Sequence, residues 1–192
     1  MHSDYNALSD EKTSVSDYPS NLHKAIMKRI RETNKDTIND DFIMKVWTSL
    51  EPESIRASNL FLDKPNTLVR NRMMLRGIDL GICNGMSLKE IKEKHPDEYS
   101  KYISSAYNYR FPRGESYYDL STRLEAVMMD LEREEKAVLI IASPSVLRCF
   151  YAYIALAPLS RRVIPSLSFS HAYFIELTPT AYGCIEKKFP VF

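Results

Sequence analysis

The run from Val138 to Phe150, VLIIASPSVLRCF, constrains the fold more than any other stretch. Five apolar residues lead straight into Ser143-Pro144-Ser145, and an apolar pattern at helical spacing resumes behind them. Such a segment is a buried strand that ends in a turn and opens a helix. In α/β proteins, sites collect beyond the carboxyl ends of the strands, where this turn falls. A nucleophile elbow here would read GxSxG, because the sharp turn needs glycines. Ile141-Ala142-Ser143-Pro144-Ser145 has none. Pro144 in the first helical turn, with Ser143 as its N-cap, accounts for the segment without catalysis.

The flanking sequence repeats the alternation of strand and helix. Asn21 to Thr33 carries Leu22, Ile26, Met27 and Ile30 at helical spacing. Phe42 to Trp47 predicts a strand, Pro52 to Phe61 a helix, and Thr67 to Leu75 a second extended run. Ser87 with Glu90, and Ser116 with Asp119, have capping-box spacing. Behind Ser116, a buried stripe follows from Leu120, Leu124, Val127, Met128 and Leu131. Two short strands are predicted at Ala172 to Leu177 and Gly183 to Lys187. This order predicts a layered α/β domain with a mostly parallel sheet. Residues 1–20, rich in Ser and Asp, read as a loose arm, 21–187 as the single domain and 188–192 as a tail.

Charge narrows the partners. Lys plus Arg number 26 against 25 Asp plus Glu, so bulk electrostatics favours neither nucleic acid nor an anionic membrane. No apolar run approaches a membrane span. Cys83, Cys149 and Cys184 are scattered, which suits a reducing compartment, the cytoplasm, better than a disulfide scaffold. His2, His23, His95 and His171 lack metal-ligand spacing, and no GxxxxGK[ST] or GxGxxG loop is present. No metal or organic cofactor is expected. Glu115, exposed by the Pro112–Gly114 segment, reads as a helix-start residue, and His171, entering a strand, as a structural histidine.

Several stretches together resemble the bisphosphatase domain of the bifunctional 6-phosphofructo-2-kinase/fructose-2,6-bisphosphatase family, in the histidine phosphatase (phosphoglycerate mutase-like) superfamily. They are KVWTS at Lys45 to Ser49, GIDLGICNGMSLKEI at Gly77 to Ile91, HPDEY at His95 to Tyr99, YRFPRGESYYDLSTRLEAVMMDLERE at Tyr109 to Glu134, VLIIASPSVLRC, and LTPTAYGC at Leu177 to Cys184. The resemblance implies a three-layer α/β/α fold of the phosphoglycerate mutase-like kind, with a mostly parallel sheet. The resemblance leads one to expect the family's first strand, which bears an RHG motif, to be missing from these residues: either the chain is cut from a longer protein or its sheet is built differently. The family's RHG would fall beside Met1, where His2 reads as a tail residue.

The family's reaction removes the 2-phosphate of fructose 2,6-bisphosphate. A histidine attacks phosphorus, a second histidine and arginines hold the phosphoryl oxygens, and a glutamate protonates the departing oxygen. By this resemblance Ser143 stands in place of the second histidine, and Gly77 in place of the proton donor. Glu53 replaces a phosphate-holding arginine. Leu88, Tyr102 and Ala106 replace a tyrosine, an arginine and a lysine that grip the sugar diphosphate. Arg148, His171 and Ser143 remain as vestigial substrate-binding positions, within a frame around Arg110 and Glu115.

The resulting expectation is a catalytically degenerate fructose-2,6-bisphosphatase-like domain without catalytic residues. It would be the C-terminal regulatory or scaffolding part of a 6-phosphofructo-2-kinase-like protein. The implied partners are a kinase domain in cis, a sugar phosphate and a second copy of the chain. Two alternatives stand beside it: a residual phosphatase working through His2 or His171, and a sugar-phosphate-binding module without turnover on Arg148 and His171.

Overall fold

The computed structural model describes residues 18–33, 44–62, 64, 66–156 and 161–191. His2, the arm up to residue 17 and the place of the RHG motif lie outside them. Strand β1 (Met44–Thr48) is the middle of a parallel three-stranded sheet, between β2 (Thr67–Asn71) and β3 (Val138–Ile141). The register sets Val46 beside Val69 on one side and Leu139 on the other. Alternation along β1 sends Met44 and Val46 to one face, where they meet Ile26 and Met27 of helix α1 (Tyr18–Thr33) and Phe61. Trp47 goes to the opposite face, under α5 (Tyr117–Glu132) and α6 (Pro144–Ala155). A strand covered on both faces has to be apolar throughout, and here only Lys45 breaks the buried run. Helices above and below a parallel sheet make the three layers that the sequence predicted.

Several boundaries shift for local reasons. The extended run expected through Leu75 stops at Asn71. There the Arg72 N–H donates to the Thr48 carbonyl at 2.8 Å, and its guanidinium lies 3.8 Å from the centroid of the Trp47 ring. The same guanidinium donates to Asp130 at 2.7 Å, and Met73–Leu75 then wind into a 3-10 turn that buries Leu75. Helix α2 is Pro52–Ser58, continued by a 3-10 turn at Asn59–Phe61. Helix α1 begins at Tyr18, before the expected Asn21. Strands β4 (Tyr173–Thr180) and β5 (Gly183–Pro190) run past their expected ends and form an antiparallel hairpin, a sheet of their own. The Val191 N–H donates to the Ala172 carbonyl at 2.8 Å, which fixes the alternation of the ladder. Pro179 and Pro190 fall opposite Cys184 and Tyr173, on its non-bonded positions, where a missing N–H costs nothing.

Both capping boxes form, at Ser87–Glu90 for α3 (Leu88–Lys94) and at Ser116–Asp119 for α5. The segment before α5 fits against the loop 79–81 with no room to spare. Gly81 sits at φ +56°, and an ideal Cβ there would lie 2.1 Å from the Pro112 carbonyl oxygen. Gly85, at φ +76°, would meet nothing within 4 Å. Gly85→Ala should therefore lose only the left-handed backbone preference, about 1–2 kcal/mol. Gly81→Ala adds a backbone collision, and its thermal midpoint should fall clearly below that of Gly85→Ala.

Burial alone raises the Asp119 carboxyl, but the Ser116 hydroxyl and N–H, with Arg110, outweigh it and hold the group down at about 2. A carboxyl depressed in the folded state stabilises the fold above its unfolded pKa and loses that contribution as pH falls through the folded value. Asp119→Asn should lower stability at neutral pH by about 1 kcal/mol. The gap to the parent should close between about pH 4 and pH 2, as urea titrations over that range would register.

Candidate functional site

The carboxyl ends of β1 and β3 open onto the loop 75–79 and the start of α6. Ser49, at the end of β1, is buried, and its hydroxyl donates to Glu51 Oε2 at 3.2 Å while accepting the Glu51 N–H at 3.3 Å. That small ring turns the Glu51 side chain inward, and its Oε1 accepts the Gly77 N–H at 2.8 Å. Next to it the Ser143 and Ser145 hydroxyls share a hydrogen bond at 2.9 Å, and Ser145 Oγ accepts the Ile78 N–H at 3.1 Å. Two consecutive amides of one loop are thus held by a glutamate from β1–α2 and a serine from α6.

Gly77 faces this cluster so closely that an ideal Cβ would lie 2.9 Å from both Glu51 Oε1 and Ser143 Oγ. Any side chain at 77 has to displace the glutamate or the serine. Ser143 is the N-cap of α6 by position, but its side chain makes no capping bond; the hydroxyl goes to Ser145 instead. This corrects the capping role expected of it. A serine becomes a nucleophile when a base takes its proton, and a neighbouring hydroxyl is no base.

The loop is clamped from behind. Arg123 of α5 donates to the carbonyls of Met74, Arg76 and Gly77, and both its Nε and NH2 reach Glu115, at 3.2 and 3.1 Å. Glu115 also accepts from Arg76 at 2.8 Å and from the Asp79 N–H at 3.2 Å. Its own N–H returns to the Asp79 carbonyl at 2.6 Å. Glu115 is therefore an assembly residue for the loop, tied on every side.

The three positions expected to bind substrate, Arg148, His171 and Ser143, separate. Ser143 lies in the cluster. Arg148, one turn into α6, donates to the Leu167 carbonyl at 2.6 Å and to the Tyr117 hydroxyl at 2.8 Å, pinning α6 to the 3-10 segment Arg161–Ser166 and to α5. His171 is exposed, its ring edge-on to Tyr18 at 5.9 Å. Glu53 points to solvent in the first turn of α2, and Leu88 is exposed. Tyr102 stacks on Phe111 in the satellite core of α3 and α4 (Pro96–Ser104). The sequence reasoning chose Glu53 and missed Glu51. The signal for Glu51 was its place directly after a buried strand and before Pro52, where the chain must turn over the sheet's edge.

The profile described as the histidine phosphatase superfamily, branch 1, matches residues 25–185. Over 141 residues the chain is 40% identical to the 6-phosphofructo-2-kinase/fructose-2,6-bisphosphatase of Gallus gallus, covering 73% of this chain and 28% of that protein. Over 161 residues it is 38% identical to 6-phosphofructo-2-kinase/fructose-2,6-bisphosphatase 3 of Homo sapiens, covering 83% and 28%. The chain thus spans little more than a quarter of these relatives' length. Among solved structures, the alpha-ribazole phosphatase of Shigella flexneri matches with a TM-score of 0.66 at 14% identity, over 91% of this chain and 80% of that one. The mycobacterial glucosyl-3-phosphoglycerate phosphatase matches with a TM-score of 0.66 at 15% identity, over 91% and 85%. At such identities the likeness speaks for the fold, the expected α/β/α arrangement of phosphoglycerate mutase-like proteins.

Arg123→Ala would take the side-chain donor from three loop carbonyls and leave Glu115 with only Arg76 and the Asp79 N–H, at a cost of about 3 kcal/mol. Glu115→Gln keeps the hydrogen-bonding shape and should cost less. Chemical denaturation ranks the two, and hydrogen exchange at Gly77 and Ile78 should accelerate in the first variant before any other amide.

Proposed function

The chain belongs to the histidine phosphatase superfamily, branch 1, and from that premise we propose that it is a phosphatase-fold domain without turnover. It serves as the regulatory or scaffolding C-terminal part of a 6-phosphofructo-2-kinase-like protein in fructose 2,6-bisphosphate metabolism. The kinase half lies in cis, and the assembly works in the cytoplasm. The likeness to the bifunctional relatives over most of this chain supports the metabolic assignment.

One observation supports the proposed absence of turnover. The space in front of Gly77, where the family resemblance puts the proton donor, is filled by Glu51 Oε1 and Ser143 Oγ. Gly77 supplies no acid, and the carboxylate standing before it, Glu51, accepts from the Gly77 N–H and the Ser49 hydroxyl, bonds that favour its ionised form over a proton donor. A carboxylate repels a phosphate that the family attracts with arginine and histidine. Loss of general acid catalysis alone costs about 10²–10⁴ in rate. Ser143 adds a second loss, since a hydroxyl bonded to a hydroxyl offers the phosphoryl oxygens no charge.

The decisive assay is inorganic phosphate release from fructose 2,6-bisphosphate, by this chain and by the full-length protein that contains it. No release above buffer is expected from either. Release by the full-length protein that disappears on His171→Ala, in a variant that keeps its fold by circular dichroism, would overturn the proposal.

A further inference from the structure

Helix α1 is held over the sheet by three different kinds of contact. Leu22, Ile26, Met27 and Ile30 pack on the cluster of Met44, Val46 and Phe61. In its second half, Arg29 donates to Glu176 of β4 through bonds of 2.8 and 2.9 Å, and its guanidinium lies 4.7 Å from the centroid of the Phe189 ring. In its first half, the His23 ring stands edge-on to Phe61, with the centroids 4.9 Å apart. Nε2 of His23 is buried there and, among the described residues, has no hydrogen-bond partner.

Mild acid changes one of these contacts and spares the others. The bond between Arg29 and Glu176 raises the arginine and lowers the glutamate, so the pair stays charged between about pH 7.5 and 5.5. An imidazole titrates inside that range. Neutral His23 can carry its hydrogen on Nδ1 and leave only a lone pair at the buried Nε2. The imidazolium has an N–H at both nitrogens, so a donor is then buried without an acceptor. Burial holds the His23 pKa below the ordinary 6.5, and the positive charge of Lys64, beyond Phe61, adds to the effect.

No neighbouring charge offsets this. The turn Asn59–Phe61 carries none, and Glu53 and Arg56 of α2, which packs on α1, are exposed. Lys24 and Lys28 of α1 itself are exposed and of the wrong sign. Among the described residues no carboxylate pairs with His23. At the same end of α1, Tyr18 meets the ring of His171, which is exposed, so protonation there is met by water.

We propose that α1 is a pH-sensitive clasp, in which protonation of His23 frees the first half of the helix from Phe61 while Arg29 keeps the second half on β4. Opening uncovers part of the apolar face formed by Met44, Val46 and Phe61. The freed imidazole takes up a proton more readily than the docked one. The closed state is therefore at full strength above about pH 6.5 and weakens as pH falls from there towards the lower value of the docked ring. The clasp depends on α1 alone and stands whether or not the chain hydrolyses a phosphate.

Two measurements on the unaltered chain test this. Followed by NMR, the His23 ring should titrate with a midpoint below about 6.5. Hydrogen exchange at the amides of Leu22 to Ile26, corrected for the intrinsic effect of pH, should report opening that rises at least about threefold between about pH 7.5 and 5.5. A single imidazole sets a ceiling of about tenfold over that interval. The amides of α5 should show no such rise, and His23→Gln, which takes up no proton in this range, should abolish it in α1. A midpoint at or above about 6.5, an equal rise in His23→Gln, or a parallel rise throughout α5 overturns the proposal.

Discussion

The loop that carries Gly77 and Ile78 has no regular secondary structure, and its shape depends on the guanidinium of Arg123. That one group satisfies three consecutive-turn carbonyls and a carboxylate, with the Arg123 and Glu115 side chains about one-eighth and one-fifth exposed (12% and 18%). Carbonyls left bare in such a place would each cost free energy comparable to a lost hydrogen bond. Arginine suits the task because its five donors are spread in a fixed plane, so one residue can tie several acceptors at once. Glu115 completes the arrangement by bonding the loop's other strand through Asp79, with Gly81 and Gly114 allowing the backbones to touch. The frame is thus electrostatic at its centre and steric at its edge.

Inside this frame the polar groups of the site are occupied with one another. The amides of Gly77 and Ile78 are still presented as neighbouring donors, but they are met by Glu51 and Ser145. The donors are consumed within the chain, by a carboxylate and a buried serine hydroxyl. Maintaining a precise loop for an internal contact makes it a packing element. Arg148 likewise bonds within the fold, to the Leu167 carbonyl and the Tyr117 hydroxyl, between α6 and its neighbours.

What could be read from the chain alone was whatever is decided within a few residues. The capping boxes at Ser87 and Ser116 formed as spaced, because a box closes on its own third residue. The stripe on α5 is buried at Leu120, Leu124, Val127 and Met128, because period 3.6 fixes one face of a helix. The end of β2 was not legible. It is set by Arg72 stacking on Trp47, a contact between residues far apart in sequence. Glu51 was overlooked for a related reason: its partner, Gly77, lies a helix, a strand and two 3-10 turns away. The alignment-like order of motifs pointed to Glu53 instead, whereas the Ser49 ring selected the residue that turns inward.

The register of the central sheet has a consequence for how the chain comes together in time. Met44 of β1 meets Thr67 of β2 after a short excursion, but Lys45 meets Val138 of β3 only across 93 positions of chain. Loops of that length close slowly, and parallel pairings over long separations belong to the late steps of folding. On a ribosome adding about 5–20 residues each second, β1 would wait several seconds with one edge bare. During that interval Trp47 and Val46, destined for opposite cores, are apolar surface not yet covered. Lys45, the one charged residue between Met44 and Val46, sits where it can keep that unfinished edge from sticking to another.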